Sequence, residues 1–315
     1  MLKYVFSQEQ MECLNHIIGE KNDISLLNNF ATKELSDTDK EFFVEKGIIN
    51  SDGMIQDDIK ESVEILSKPA SLVKLMFTGG INKYEHTICY DKSLKKKISF
   101  TSGMDYFTLD NGTNDTDVLA LFEDFVGKSS MKSVSFYQKL SSQEALVTAA
   151  LLDMERRTIL RAFVDELPYT NNRYSFNMIW RMVHSSNASI QWFVYCIGEV
   201  LGEHLTLKQD HLKKVLEQLV EIGLISEHDG QYQLSDSLSQ LSNRMIVIDN
   251  VLSVETIGTD KEDKQVSSGF TCLQSGIHDL LRIDYDGTDV VFETISSALL
   301  LENIERFMKM EAFTN

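Results

Sequence analysis

The sequence predicts an α+β protein with two pseudo-symmetric halves, each containing winged-helix-like helices, a four-stranded antiparallel sheet and a closing helix. Three observations predict this class. A segment that ends a helix and begins a hairpin occurs twice, β-rich stretches follow each copy, and an amphipathic helix closes each half. The polar stretch 127–133 marks the boundary. Residues 1–130 therefore form the first repeat, and residues 131–315 form a second repeat with a longer helical opening.

The repeated segment reads VEKGII at 44–49 and VEIGLI at 220–225. In each copy a glycine, Gly47 or Gly223, stands where a helix commonly ends in a left-handed conformation. An Asp-Gly pair follows at 52–53 and at 229–230, as two-stranded hairpins prefer. Helix, glycine, strand and hairpin is the order of a winged helix.

Corresponding elements follow both copies. After each hairpin we expect a helix, at 57–66 and at 234–241, and a closing helix at 117–126 and at 296–308. Between them, apolar and β-branched residues predict four strands in each half. The predicted strands are 72–78, 84–91, 95–101 and 104–109 in the first half, and 246–257, 264–273, 277–285 and 289–294 in the second.

Helices open the second half. Apolar residues at helical spacing predict a helix at 141–166, with Ser141 or Ser142 as the N-cap and Glu144 near the third helical position. Pro168 ends it. A second helical tract covers 175–201, and residues 1–20 are interpreted as the shorter counterpart in the first half.

Composition favours a folded protein that binds protein. The chain of 315 residues has 43% hydrophobic residues and only 2 prolines. Its net charge of −18 opposes binding to DNA and to anionic membranes. Residues 1–20 mix charged with apolar side chains, and no later stretch is apolar enough to cross a membrane. We therefore expect a cytoplasmic protein with no membrane insertion.

The search for chemistry is negative. The sequence has no nucleophile elbow, zincin, P-loop or dinucleotide motif, and three scattered S-x-x-K matches are background. The four cysteines are far apart, and no two histidines have the spacing of helical metal ligands. We predict no enzymatic activity, no cofactor and no metal site.

DNA binding by a winged-helix transcriptional regulator is the alternative function. The helix before Gly47 carries four carboxylates against two lysines, so its face would repel DNA. The helix at 207–221 is more basic, with Lys208, Lys213 and Lys214, but three carboxylates offset these charges. Winged helices also serve as protein-binding modules, and the charge balance favours that use.

The order of elements over nearly the whole chain resembles the EspG family of type VII (ESX) secretion chaperones, without a specific motif. The resemblance implies a bacterial, non-enzymatic cytosolic adaptor that binds a helical secreted substrate. It directs attention to the loops 93–97 and 258–265 and to the helix 296–308. The partner-binding residues that it suggests are Lys95, Lys96, Lys97, Lys261, Lys264 and Phe307.

Overall fold

The computed structural model describes residues 3–79, 82–103, 105–112, 114–168, 172–185, 188–202, 207–259 and 265–310. They form a mixed α+β structure in which two compact units can be distinguished. Unit 1 comprises Met1–Asp124, Ser253–Gly269 and Leu301–Asn315, and unit 2 comprises Phe125–Leu252 and Phe270–Leu300. The predicted division into residues 1–130 and 131–315 concerns the sequence repeat and stays a prediction. The compact units follow a different division, because unit 1 also contains the later segments 253–269 and 301–315.

The first part of the chain supplies β1 and α1 before the predicted hairpin region, and then four further strands. Its elements are β1 (Lys3–Phe6), α1 (Gln8–Ile18), a 3₁₀ turn (Leu26–Asn29), α2 (Asp37–Glu45), α3 (Asp57–Ser67), β2 (Ser71–Gly79), β3 (Asn82–Tyr90), β4 (Lys97–Ser102), β5 (Phe107–Asp110) and α4 (Asp115–Val126).

The remainder of the chain begins with a strand and a long helix and ends with four strands and a helix. Its elements are β6 (Tyr137–Ser141), α5 (Ser142–Val164), β7 (Tyr174–Ser175), α6 (Phe176–Val183), α7 (Phe193–Leu201), α8 (Gln209–Glu221), β8 (Ile225–His228), β9 (Gln231–Leu234), α9 (Asp236–Arg244), β10 (Asn250–Thr259), β11 (Gln265–Gln274), β12 (Leu280–Tyr285), β13 (Asp289–Ile295) and α10 (Ser297–Met308).

The sheet count differs from the prediction of two four-stranded sheets. Ten of the described strands form one sheet in the order β1-β5-β4-β3-β2-β10-β11-β12-β13-β6, and β7, β9 and β8 form a small second sheet. Every described strand pair is antiparallel. All eight predicted strands are present in the large sheet, and β1 and β6 extend it at its two ends.

Cross-strand rows build the core of unit 1. Leu72 lies opposite Cys89, and Cys89 lies opposite Ile98, so the three side chains share one face of the sheet. All three are buried. Burial raises the pKa of the Cys89 thiol to about 12, so this cysteine packs as a small hydrophobe.

Serine caps begin several helices. Ser141 and Glu144 form the predicted capping box at the start of α5, in which Glu144 N donates to Ser141 Oγ at 3.4 Å and Ser141 N donates to Glu144 Oε2 at 2.7 Å. Ser7 with Gln10 and Ser36 with Asp39 form the same arrangement at α1 and α2. Each box pairs backbone donors that the first helical turn otherwise leaves unsatisfied.

The two predicted hairpins differ in length. After α8, Gly223 has a φ of 73°, and β8 and β9 are joined by Asp229 and Gly230, both with positive φ. After α2, the first copy has only an isolated bridge between Ile49 and Ile55. Asn50 N donates to Met54 O at 2.8 Å and Gln56 N donates to Ile48 O at 3.0 Å, so this copy is a shorter hairpin. The Asn50 side chain holds its turn by accepting hydrogen bonds from the backbone of residues 52 and 54.

Two helical predictions need correction. The segment 1–20 contains β1 before α1, because the first residues pair with β5 at the sheet edge. The tract 175–201 is divided into α6 and α7. Helix α7 starts afresh because the buried Asp153 carboxylate accepts hydrogen bonds from the backbone of its first residues.

The buried histidine of β3 makes the stability of the protein pH-dependent. His86 Nδ1 lies 2.9 Å from Thr101 Oγ1. Burial lowers the pKa of His86 to about 4, assisted by the charge of Lys97 and opposed by those of Asp110 and Asp115. Below pH 6.5 the unfolded chain takes up a proton that the folded state excludes.

We therefore expect wild-type stability to fall as the pH drops from 6.5 to 4, by about 3 kcal/mol from this residue alone. His86→Leu lacks this dependence. Urea unfolding at pH 7.0 and pH 4.5 should show that the difference in unfolding free energy between the two proteins changes by about 2–3 kcal/mol. A difference independent of pH would show that His86 titrates normally in the folded state.

Candidate partner-binding surface

The predicted lysine run lies in the turn between β3 and β4, and acidic neighbours offset much of its charge. The turn is ordered by Asp91, whose Oδ1 accepts hydrogen bonds from the backbone of Lys95 at 3.1 Å and of Lys96 at 3.0 Å. Lys96 forms an ion pair with Glu61, and Lys97 forms one with Asp115. Lys95 is exposed. Lys95 and Lys96 therefore lie in the turn itself, and Lys97 begins β4.

The other predicted contacts are less informative. Lys261 and Lys264 lie outside the described residues. Phe307 is half-buried in α10, next to Met308, whose carbonyl accepts a hydrogen bond of 2.5 Å from the Tyr90 hydroxyl. Phe307 therefore sits on a helix that is fastened to the sheet of unit 1.

Sequence reasoning missed an apolar surface at the end of α5. Four large apolar side chains are exposed there: Leu160 by 40%, Phe163 by 71%, Val164 by 80% and Leu167 by 61%. Their spacing of three or four residues puts them on one side of the helix end. We call this set the α5 stripe. A contiguous apolar surface that is left exposed is typical of an interaction site.

The chain fixes the last member of the stripe at the end of the helix. Leu167 N donates to Ala162 O at 3.0 Å, and Asp165 N donates to Arg161 O at 2.9 Å. Glu166 lies between them with a φ of 52°, a left-handed conformation that usually requires glycine. This cap holds Leu167 beside the final helical turn.

The body of α5 is the centre of unit 2. Residues 145–156 are buried without interruption, so this part of the helix is covered on all sides. Beyond Ile159 the helix emerges, and residues 163–168 are all exposed. The α5 stripe is thus the projecting end of a core helix.

A buried ion pair anchors this helix. Asp153 accepts hydrogen bonds from Phe193 N at 3.0 Å and Val194 N at 3.1 Å, and from Arg156 Nη1 at 2.9 Å. Arg156 also donates to the carbonyl of Gln191 at 2.8 Å. Asp153 therefore supplies from α5 the N-terminal cap that α7 lacks in its own sequence.

Burial and hydrogen bonding act against each other at this pair. Burial raises the pKa of Asp153 to about 6, although the two backbone donors and Arg156 lower it. Burial also lowers the pKa of Arg156. At neutral pH both groups are charged, and each compensates for the desolvation of the other.

A neighbouring carboxylate ties further elements to α5. Glu155 is buried and accepts a hydrogen bond from the Tyr174 hydroxyl on β7. It also accepts one of 3.4 Å from the Ser239 hydroxyl on α9. These bonds hold the small sheet and α9 against the same helix.

Helix α8, the counterpart of a recognition helix, has an exposed face of mixed charge. Its exposed lysines are Lys213 and Lys214, and Lys208 precedes the helix. Asp210, Glu217 and Glu221 are exposed on the same helix. The carboxylates equal the lysines in number, so this face has no excess of positive charge for phosphates.

The described residues show no arrangement that indicates catalysis. They contain no group of three or more metal-ligating side chains. The four cysteines are buried, and burial raises the pKa of each thiol. An apolar cleft in unit 1 encloses about 30 Å³, far below the size of ordinary ligand pockets. Among these residues, every helix is too short or too polar to span a bilayer.

Comparison with known proteins relates the fold to that of a solved secretion-chaperone complex. The chain aligns with the Mycobacterium tuberculosis type VII secretion system chaperone EspG5, solved in complex with the PE25–PPE41 dimer, with a TM-score of 0.51 over 96% of this chain and 94% of that chain. The fold resembles that of a secretion chaperone. Sequence identity is 9%, so the likeness concerns the fold alone. No protein-family model matches the chain, and no curated protein matches it in sequence.

The Asp153 anchor gives a direct stability prediction. We expect Asp153→Ala to lower the unfolding free energy by about 3–5 kcal/mol, because it leaves Arg156 as an uncompensated buried charge and removes the cap of α7. Urea unfolding at pH 7 measures the change. Asp165→Ala is the matched control, since Asp165 is exposed at the end of the same helix, and we expect a change within about 0.5 kcal/mol. A loss below 1 kcal/mol in Asp153→Ala would show that the ion pair is not the anchor.

Proposed function

We propose that this protein is a non-enzymatic protein-binding factor of the secretion-chaperone type, acting in the cytoplasm on a helical secreted substrate. The observation that carries the proposal is the α5 stripe. A projecting helix end with four exposed apolar side chains is suited to packing against an apolar groove or helix of a partner.

The size of the stripe indicates the strength of binding. Burying the exposed parts of these four side chains contributes roughly 4–8 kcal/mol, while association costs about 4–15 kcal/mol. The stripe alone therefore gives weak or moderate affinity, and polar contacts around it are needed for tight binding. Reversible binding suits a factor that later releases its client.

The likeness to EspG5 supports the same class of function. That chaperone was solved together with a protein dimer. A comparable client for this chain is part of our proposal, as are its helical nature and its secretion. The turn at Lys95 to Lys97 and the residue Phe307 stay proposed as further contacts, together with Lys261 and Lys264.

We also propose that the fold arose by internal duplication, with pseudo-symmetric halves that divide near residue 130. The strand order supports this. From one end of the large sheet the order is β1, β5, β4, β3 and β2, and from the other end it is β6, β13, β12, β11 and β10. In each half the first strand thus lies at the sheet end, and the other four follow in reverse sequence order. The winged-helix character of the helices around the small sheet belongs to the same proposal.

DNA binding is the alternative function, and the experiment must distinguish it from protein binding. The hairpin β8–β9 after α8 is a feature of DNA-binding winged helices. The mixed charge of α8 and the net charge of −18 oppose it.

Comparative capture tests the proposal. Tagged wild-type protein and Phe163→Ser/Val164→Ser are used in parallel to capture partners from the native cytosol, with and without nuclease, and the bound proteins are quantified by mass spectrometry. We expect a stoichiometric small helical protein whose recovery falls at least about tenfold in the variant, because two of its apolar contacts are lost.

Lys95→Glu is the companion variant, because it reverses the exposed charge of the lysine turn without touching the stripe. Loss of the client in this variant alone would move the site to the turn. Equal recovery of the client with the wild type and with Phe163→Ser/Val164→Ser would show that the α5 stripe does not bind it. Recovery of nuclease-sensitive DNA without a protein client would favour the alternative function, a DNA-binding transcriptional regulator.

A further inference from the structure

Arginine is concentrated in the part of the sequence that contains the α5 stripe. The chain has eight arginines, and five of them lie between residues 156 and 181, where only two carboxylates, Asp165 and Glu166, occur. No arginine precedes residue 156. A net positive segment is unexpected in a chain with 48 acidic and 30 basic residues.

Four of these arginines are exposed and have no carboxylate partner among the described residues; they are Arg157, Arg161, Arg173 and Arg181. Elsewhere on the chain some cations do form ion pairs, for example Lys68 with Glu20 at 2.6 Å and Lys139 with Asp289 at 2.8 Å. The segment thus combines four exposed guanidinium groups with only two carboxylates, Asp165 and Glu166.

Two of the arginines flank the stripe directly. Arg157 and Arg161 are one helical turn apart on α5, and each precedes a stripe residue, Leu160 or Val164, by three positions. The Arg157 guanidinium lies over the Trp192 ring, 5.6 Å from its centroid. This contact restricts the orientation of one of the two guanidinium groups.

We infer that the α5 stripe binds an acidic amphipathic helix, one whose apolar residues are flanked by Asp or Glu side chains that pair with Arg157 and Arg161. This inference rests on the proposed function and adds the chemistry of the client. Carboxylates one turn apart on the partner match the spacing of the two arginines, and Arg–carboxylate pairs are bidentate and directional.

The geometry also limits the length of the contact. The stripe extends from residue 160 to residue 167, which corresponds to about 10 Å along a helix. About two turns of the partner are therefore covered. Charge pairs at the rim of such a small contact contribute mainly to specificity and to the association rate.

An anionic membrane is the other surface that apolar and arginine side chains can meet. Interfacial helices lie flat and bury one whole face in the lipid boundary. Here the preceding turns of α5 are enclosed in unit 2, so only the helix end is accessible. The net charge of −18 further opposes approach to anionic lipid.

Two synthetic helical peptides test the inference. Both have the same apolar heptad stripe over about three heptads, and the flanking positions carry Glu in one peptide and Lys in the other. Binding to the full-length protein is measured by fluorescence anisotropy at low and physiological salt. We expect the Glu peptide to bind at least about tenfold more tightly, with a difference that narrows as salt rises.

Charge variants test which residues cause the preference for the Glu peptide. Arg157→Glu/Arg161→Glu should remove or reverse the preference, and Arg157→Gln/Arg161→Gln should reduce it without introducing new repulsion. Lys213→Glu/Lys214→Glu makes the same charge change on exposed residues of α8 and should leave the preference intact. Vesicles of phosphatidylserine and phosphatidylcholine are titrated in parallel.

Each outcome decides between the hypotheses. Equal affinity for the two peptides, lost in Phe163→Ser/Val164→Ser, would overturn the acidic preference and leave apolar docking in place. Failure of both peptides to bind would overturn the inference, while the capture of a native client still tests the proposed function separately. Vesicle binding that depends on Arg157 and Arg161, without binding of either peptide, would show that the partner of this surface is an anionic lipid membrane and not a helix.

Discussion

The buried carboxylate of Asp153 determines the architecture of unit 2. It is charged, enclosed by protein, and satisfied by one guanidinium and two backbone donors. Because a buried charge without these partners would be strongly destabilising, α7 must begin where its amides meet Asp153. The same carboxylate fixes Arg156, which reaches the loop carbonyls of Gln191 and Ile246. One residue of the central helix thus holds two neighbouring segments.

This anchoring has a consequence for the surface. A helix that is buried over twelve consecutive positions has a fixed direction, and so its last turns project at a fixed place. The left-handed Glu166 then ends the helix and keeps Leu167 beside it. An interaction site built on a rigid element loses little conformational entropy on binding. The apolar end of α5 has that advantage over a flexible loop.

Local signals made much of the fold predictable. The four strands of each half follow β-rich stretches between turn residues, and the α5 capping box follows from Ser141 and Glu144. Strands β1 and β6 were missed because each directly precedes a helix and is too short to show a period of its own. The division of α6 from α7 depends on Asp153, which is forty residues away in sequence, so no local pattern reveals it. The first hairpin is present but shorter than the second, and the side-chain hydrogen bonds of Asn50 hold its turn.

The candidate site was less predictable because sequence periodicity cannot show which apolar residues are covered. Leu160, Phe163 and Val164 continue the helical spacing of apolar residues that precedes them, so they look like the covered residues of the same helix. The lysine run was visible as charge, but its partners Glu61 and Asp115 come from distant elements. The concentration of arginine between residues 156 and 181 was the one available signal for the α5 end.

Site-specific photo-crosslinking in the native cell tests the central claim most directly. A photoreactive phenylalanine analogue at Phe163 is compared with the same analogue at the exposed Lys213 of α8. The account predicts one discrete covalent adduct with a helical client from position 163 and none from position 213. An adduct from position 213 alone, or no adduct from either position while a client is captured by the intact protein, would contradict it.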